Sequence, residues 1–235
     1  GMPGAVRLAG EAALRTGAGR VSIATHPSHA AILVATRPEL MSHGVAGVAD
    51  LEPLLENADV IAFGPGLGQS AWAQGLYDRV ADSSIPAVWD ADALNLLAKT
   101  PDKANNRVMT PHPGEAATLL HTSAADIQAD RAVALTSLAE TYGGTVVLKG
   151  AGSLVSNDST PILCSSGNPG MAAPGMGDVL TGIIAGLLAQ GLTMTDAAAI
   201  GVEVHARAGD RAALAGERGM IASDLMAELR AVLNP

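Results

Sequence analysis

Residues 60–98 read VIAFGPGLGQSAWAQGLYDRVADSSIPAVWDADALNLLA. A short apolar run, 60–63, enters the turn Gly64-Pro65-Gly66-Leu67-Gly68, and a helical stretch follows over 71–81. A second apolar run, 87–89, then enters Asp90-Ala91-Asp92, with another helix over 93–98. Strands that are apolar throughout belong to a sheet covered on both faces. Strands that alternate with helix-length segments point to a mostly parallel sheet, because parallel strands need crossover connections.

The same alternation continues in both directions. A helix over 5–16 is stopped by Gly17-Ala18-Gly19, a strand follows over 21–25, and helices are expected over 26–35 and 51–57. Downstream, a strand over 108–110 meets Pro111-His112-Pro113-Gly114-Glu115, where a helix begins, and a long helix covers 126–142. The β-branched strand 145–148 runs into Lys149-Gly150-Ala151-Gly152-Ser153; 154–156 and 162–164 can pair across an Asn157-Asp158 turn. The last third is helical over 177–190, 195–214 and 223–233. This pattern predicts an α/β fold with a mostly parallel central sheet and helices on both faces. No repeat or composition shift marks a linker, so residues 1–235 read as a single domain. The opening Gly1-Met2-Pro3-Gly4 leads straight into a helix. In α/β proteins such a glycine turn normally follows a strand, so a first strand is expected upstream of Gly1.

Composition narrows the function. A net charge of −9 provides no basic field to attract nucleic acid or an acidic membrane. The single cysteine, Cys164, excludes an intrachain disulfide and a cysteine-rich zinc site, and suits a reducing cytoplasm. No apolar run has the length of a membrane span; the longest, 183–189, reads as a buried helix.

In open parallel sheets, ligands sit beyond the carboxyl ends of the strands, where the glycine turns gather. The strongest candidate is Gly167-Asn168-Pro169-Gly170-Met171-Ala172-Ala173-Pro174-Gly175-Met176-Gly177-Asp178, followed by an apolar helix. Gly175 and Gly177 let backbone N–H groups face a ligand, and the helix start adds unpaired donors and partial positive charge. Asp178 at its mouth is either a reactive carboxylate or a helix N-cap. Lys149, Gly150, Ala151, Gly152 and Ser153 suit a nucleotide phosphate, although a plain turn after an edge strand explains them equally, and the full P-loop spacing is absent. Gly64 and Gly66 suit either a close ligand or a tight turn. His112, stiffened by two prolines, is either a binding or a structural histidine. Asp90 and Asp92 either hold Mg²⁺ through water or cap the next helix, capping being favoured for Asp92. Glu203 and His205 make no zinc pair; His205 reads as packing or surface.

Six blocks then carry a resemblance over nearly the whole chain: GMPGAVRLAGEAALRTGAG, FGPGLGQ, WDADALNLLA, RVMTPHPGEAATLL, VVLKGAG and GNPGMAAPGMGDVLTGIIAGLLAQG. In this order they resemble the ADP-dependent NAD(P)H-hydrate dehydratases, the dehydratase half of bifunctional cofactor-repair enzymes with a ribokinase-like fold. The resemblance implies a substrate, the S epimer of NADHX or NADPHX, in which water has added to the nicotinamide ring. ADP, or ATP, phosphorylates the ring hydroxyl, with Mg²⁺ expected and no protein metal ligands assignable. Phosphate elimination then restores NADH or NADPH. By motif, Asp178 is the base, and the backbone of Gly175 and Gly177 steadies the phosphoryl group. Lys149, Gly150, Ala151, Gly152, Ser153 and Gly177 contact the nucleotide. Ala5, Gly64, Gly66, His112 and Asp178 line the hydrate's pocket. The resemblance also implies a homo-oligomer and a companion epimerase, whose domain is absent from these residues. The competing readings are a ribokinase-like kinase acting on a small alcohol and a nucleotide-binding module without activity. One departure stands out: Ala173-Pro174 replaces the family's Ser or Thr followed by Gly, removing a hydroxyl and an N–H. With Gly175 through Asp178 intact, a stiffened but working cradle is expected.

Overall fold

The computed structural model describes residues 1–156 and 160–234. Its main sheet has six strands in the order β3 (Ile61–Phe63), β4 (Ala87–Trp89), β5 (Arg107–Met109), β6 (Thr145–Leu148), β7 (Ser153–Val155) and β8 (Ile162–Cys164). The pairings from β3 to β6 are parallel, and β7 and β8 add an antiparallel end. A separate parallel pair, β1 (Ser22–Thr25) and β2 (Met41–Gly44), stands beside β3. The α/β, mostly parallel expectation therefore holds. The Asn157-Asp158 turn expected between β7 and β8 lies outside the described residues.

The strand period explains why both faces are covered. Trp89, Met109, Val146 and Leu148 point into one core, which packs α4 (Ala71–Ala81), α5 (Asp92–Leu97), α6 (Pro113–Leu119) and α8 (Arg131–Tyr142). Their neighbours Val88, Val108 and Val147 point into the other, against α9 (Met176–Leu188), α10 (Met194–Ala212) and α11 (Ala222–Leu233). Each fully buried aliphatic side chain contributes roughly 1.5–3 kcal/mol, so neither face can be uncovered cheaply.

Two expectations are corrected. The helix expected over 126–142 is two helices, α7 (Ala124–Ala129) and α8, broken at Asp130, whose backbone is non-helical. The Asp130 carboxylate accepts the Val133 N–H at 3.0 Å, and this cap competes successfully with helix continuation. Strand β2 was not foreseen, since Met-Ser-His-Gly is mostly exposed and carries no apolar alternation.

Helix α1 (Pro3–Thr16) lies close along α9 because α9 offers glycine where they touch. A β-carbon at Gly182 would run into the Ala9 carbonyl, and one at Gly186 would come 2.9 Å from that of Ala13. The start of α1 is thereby fixed beside the Gly64–Gly68 turn: the Met2 N–H donates to the Gly66 carbonyl at 3.0 Å. A cleft of about 800 Å³, lined by Val6, Ile23, Ala24, Ile61, Ala62 and Phe63 among others, separates β1 from β3. No hydrogen-bonded pairing joins these two strands among the described residues.

Candidate active site

Asp90 follows β4 and Lys149 follows β6, so parallel neighbours deliver both side chains to one end of the sheet. The Lys149 Nζ donates to Asp90 Oδ1 at 2.7 Å and lies 3.6 Å from Glu115 Oε2. Thr181, one turn into α9, donates its hydroxyl to Asp90 Oδ2 at 2.8 Å. Burial alone would raise the Asp90 carboxyl, but the Lys149 charge and these hydrogen bonds hold it below its ordinary range. Burial would likewise lower Lys149, yet Asp90 and Glu115 keep its ammonium above the ordinary value. The pair is charged and internally satisfied.

The glycine segment is held from behind. The Asp210 carboxylate accepts from the Gly167 N–H at 2.9 Å and from Asn168 Nδ2 at 3.0 Å. Gly175, left-handed at φ 88°, is the N-cap of α9. The Met176 N–H turns back to the Ala173 carbonyl at 3.5 Å, whereas the Gly177 and Asp178 N–H groups have no partner among the described residues. These orphan donors are where an anion would bind. Pro174 precedes them. A β-carbon on Gly177 would sit 3.3 Å from Lys149 Nζ and 3.6 Å from Asp90 Oδ2, which places the cradle against the buried pair.

Asp178 is not the helix cap. It occupies the third position of α9, and no hydrogen bond from a described residue reaches its carboxylate. Burial, reinforced by the negative charge of Asp90 and opposed by Lys149, raises it to about 6. A carboxylate poised there accepts protons near neutral pH far better than an ordinary aspartate.

The other expected residues fall around this centre. Gly64 lies against Asp90, since a β-carbon there would meet the Asp90 carbonyl, and Gly66 lies against Met2 and Ala5. His112 caps α6: its Nδ1 accepts the N–H groups of Gly114 at 2.9 Å and Glu115 at 3.2 Å. In the neutral ring the proton therefore sits on Nε2, on a side chain that is half-exposed. Glu115 completes the capping box by accepting the His112 N–H at 2.7 Å, so one carboxylate ties His112 to Lys149. Gly150 to Ser153 form the adjacent turn, in which the Gly150 N–H donates to Ser153 Oγ at 3.3 Å. Asp92 does not cap α5; the N-cap is Ala91, and the Asp92 carboxylate instead accepts the Gly68 N–H at 2.8 Å. Asp90 caps nothing either, being committed to Lys149 and Thr181.

Residues 1–231 match the family described as NAD(P)H-hydrate dehydratase. The chain belongs to that family. The bifunctional NAD(P)H-hydrate repair enzyme of Coxiella burnetii is 52% identical over 237 residues, covering 100% of this chain and 49% of the relative. An ADP-dependent (S)-NAD(P)H-hydrate dehydratase of Neisseria meningitidis is 39% identical, covering 89% of this chain and 73% of its own. The Bacillus subtilis ADP/ATP-dependent NAD(P)H-hydrate dehydratase, co-crystallised with ATP and Mg²⁺ and soaked with CoA, superposes with a TM-score of 0.83 at 28% identity. That match covers 98% of this chain and 86% of the other. The chain thus spans about half the length of the bifunctional relative it matches. Its fold is ribokinase-like.

Within the dehydratase family frame, several supporting residues escaped the sequence. Arg131 donates to the carbonyls of Ala151 at 2.8 Å, Gly152 at 2.7 Å and Leu148 at 3.0 Å, and so braces the whole Lys149–Ser153 turn. His205, read as packing or surface, lies half-buried with Nε2 2.9 Å from the Met176 carbonyl. Burial lowers it to about 4, so it is neutral and donates from Nε2. Thr181 and Asp210 carried no signal beyond their residue type. The β1–β3 cleft touches Gly64 and Gly66 but is lined by none of Asp90, Lys149 or Asp178. Among the described residues no group of three or more His, Cys, Asp or Glu could hold a metal ion.

Proposed function

We propose that this protein restores NADH and NADPH from the S epimers of their hydrates, using ADP. The observation that carries the reading is the Asp178 carboxylate, raised to about 6 and unbonded, beside the free N–H groups of Gly177 and Asp178. Hydroxide leaves poorly and phosphate leaves well, so transferring a phosphoryl group to the ring hydroxyl solves a leaving-group problem. Asp178 accepts the hydroxyl proton as its oxygen attacks the terminal phosphorus of ADP, and the bond to AMP breaks. The carbon–oxygen bond then breaks with loss of a ring proton, releasing phosphate and the reduced nicotinamide. The cradle's contribution is positioning and stabilisation of the phosphoryl oxygens, which is most of what phosphoryl transfer requires.

The turn from Lys149 to Ser153 holds the nucleotide, and Ala5, Gly64, Gly66 and His112 line the side of the hydrate. ATP would fit the same turn with one phosphate more. The residues do not fit a protein cage for Mg²⁺, because Asp90 and Glu115 are already paired with Lys149. We therefore assign Mg²⁺ to the nucleotide's own phosphates. No helix among the described residues is long and apolar enough to cross a membrane. We place the enzyme in the cytoplasm as a homo-oligomer, with an epimerase unit supplying the S epimer.

The deciding experiment incubates the protein with hydrated NADH and either ADP or ATP and follows recovery of reduced-nicotinamide absorbance. Asp178→Asn is the control. Full activity in that variant would sink the mechanism. A stable phosphorylated alcohol without recovered NADH would favour the kinase reading.

A further inference from the structure

The buried pair beneath the cradle has a use that neither substrate contact nor fold stability requires. Lys149 is the only cation within reach of the reactive carboxylate among the described residues that act on it, and two other carboxylates hold it. Asp90 takes the short contact, Glu115 the long one, and Thr181 fixes the Asp90 oxygen that faces Gly177. The backbone is strained to arrange this: Ala91, next to Asp90, lies at φ 48° and ψ −117°, a region that non-glycine residues avoid. Such strain persists where the surroundings enforce it, and it gathers at functional sites. Gly64, with no β-carbon, admits the Asp90 carbonyl on the far side.

We propose that Asp90, oriented by Thr181, is a positioning residue. It keeps the Lys149 ammonium committed beneath Gly177, so that Asp178 stays without a cation of its own and serves as the proton acceptor. The proposal rests on the dehydratase reading above for the identity of the proton, but not for the arrangement of charges. The charged groups facing Asp178 are Asp90 from the end of β4, Lys149 from the end of β6 and Glu115 from α6. His205 of α10, under the same turn, is neutral. Removing the charge of Asp90 removes one repulsion and frees Lys149 to approach Asp178. Both changes make the Asp178 proton easier to lose and Asp178 a weaker base.

The test titrates the aspartate side-chain carboxyl carbons by NMR in the full chain, using Asp178→Asn to identify the resonance. In the wild type Asp178 should titrate near 6, and in Asp90→Asn about one unit lower, the size of shift that a neighbouring charge produces. The acid limb of kcat should move down by the same amount, while plateau kcat falls roughly tenfold or more. If Asp90→Asn does not fold, Thr181→Val serves. It should lower plateau kcat several-fold with little change in KM, and Thr181→Ser should restore it. A folded Asp90→Asn whose Asp178 midpoint has not moved overturns the proposal, as does a Thr181→Val enzyme that loses only thermal stability. The NMR midpoint is independent of turnover. Failure of the wild type to recover NADH would therefore count against the dehydratase reading and leave the midpoint to decide this one.

Discussion

Two glycine turns stand at the same end of the sheet and look alike in sequence, Gly64-Pro65-Gly66-Leu67-Gly68 and Gly175-Met176-Gly177-Asp178. Their glycines answer to different needs. On the side where β-carbons would project, the first turn is packed against the protein's own backbone. β-Carbons at Gly64 and Gly66 would collide with the backbone of Asp90 and Met2, and the Leu67 and Gly68 N–H groups are taken by Gly64 and Asp92. The second is open, with Gly177 facing only side-chain tips and two N–H groups left over. A glycine needed by the protein's own backbone and one needed by a ligand cannot be told apart by residue type, but they can by what a methyl group would strike.

The sharpest way to break the contrast is at its reactive end. Asp178→Asn should lower kcat by roughly a hundredfold to ten-thousandfold. The same variant should melt higher at pH 7. An acid whose folded pKa is raised, here to about 6 from 3.8, contributes favourably below its unfolded value, and that contribution is lost as pH rises through 6. Wild-type stability should fall across this window while kcat climbs through it, and Asp178→Asn should remove that part of the stability change. Thermal melts and kcat profiles between pH 4 and 8 check both; a variant that melts lower would show that the carboxylate is structural.

Paired alanines come next. Gly64→Ala should cost roughly 3 kcal/mol, from overpacking against Asp90 and Ala93 together with a left-handed φ of 114°. Gly177→Ala should leave stability within roughly 0.5 kcal/mol, because α9 accepts alanine there, yet lower kcat/KM roughly tenfold by crowding the cradle. Denaturant melts beside kinetics would separate them. Equal stability losses would erase the distinction between the turns.

That distinction marks the limit of what the sequence could say. The mostly parallel sheet was legible because short apolar strands alternate with helices, and the place of Asp178 was legible because it follows glycine near the start of an apolar helix. Asp92 misled, since an aspartate beside a helix start usually caps it, whereas here its carboxylate closes the Gly68 turn 24 residues earlier. Arg131, Thr181 and His205 act over separations of 17, 91 and 29 residues, so no local pattern could announce them. The double role of Glu115, cap of one helix and partner of Lys149, depends on a neighbouring strand's register.

Arg131 gives a third and smaller effect. Its guanidinium braces the Lys149–Ser153 turn through carbonyls alone, and burial lowers its pKa without dislodging the charge. Arg131→Ala should raise the KM for ADP roughly tenfold with kcat less affected, since lost hydrogen bonds to a charged donor are worth about 1.5–3 kcal/mol spread over a turn that can partly relax. A change confined to kcat would move Arg131 from the nucleotide turn to the chemistry.

The smallest effect should come from Pro174→Gly, the glycine that the resemblance leads one to expect there. Pro174 is exposed and stands before the N-cap, and the free N–H groups begin at Gly177. An added N–H at 174 would be directed from the loop, outside the helix start that concentrates the positive end of the dipole. Turnover should therefore stay within about twofold, while the extra freedom of the unfolded chain lowers stability by roughly 0.4–1 kcal/mol. A large rise in kcat would mean that the anion reaches back beyond Gly175. The open turn would then be a longer cradle that this chain has shortened, and its contrast with the closed turn at Gly64 would be one of degree.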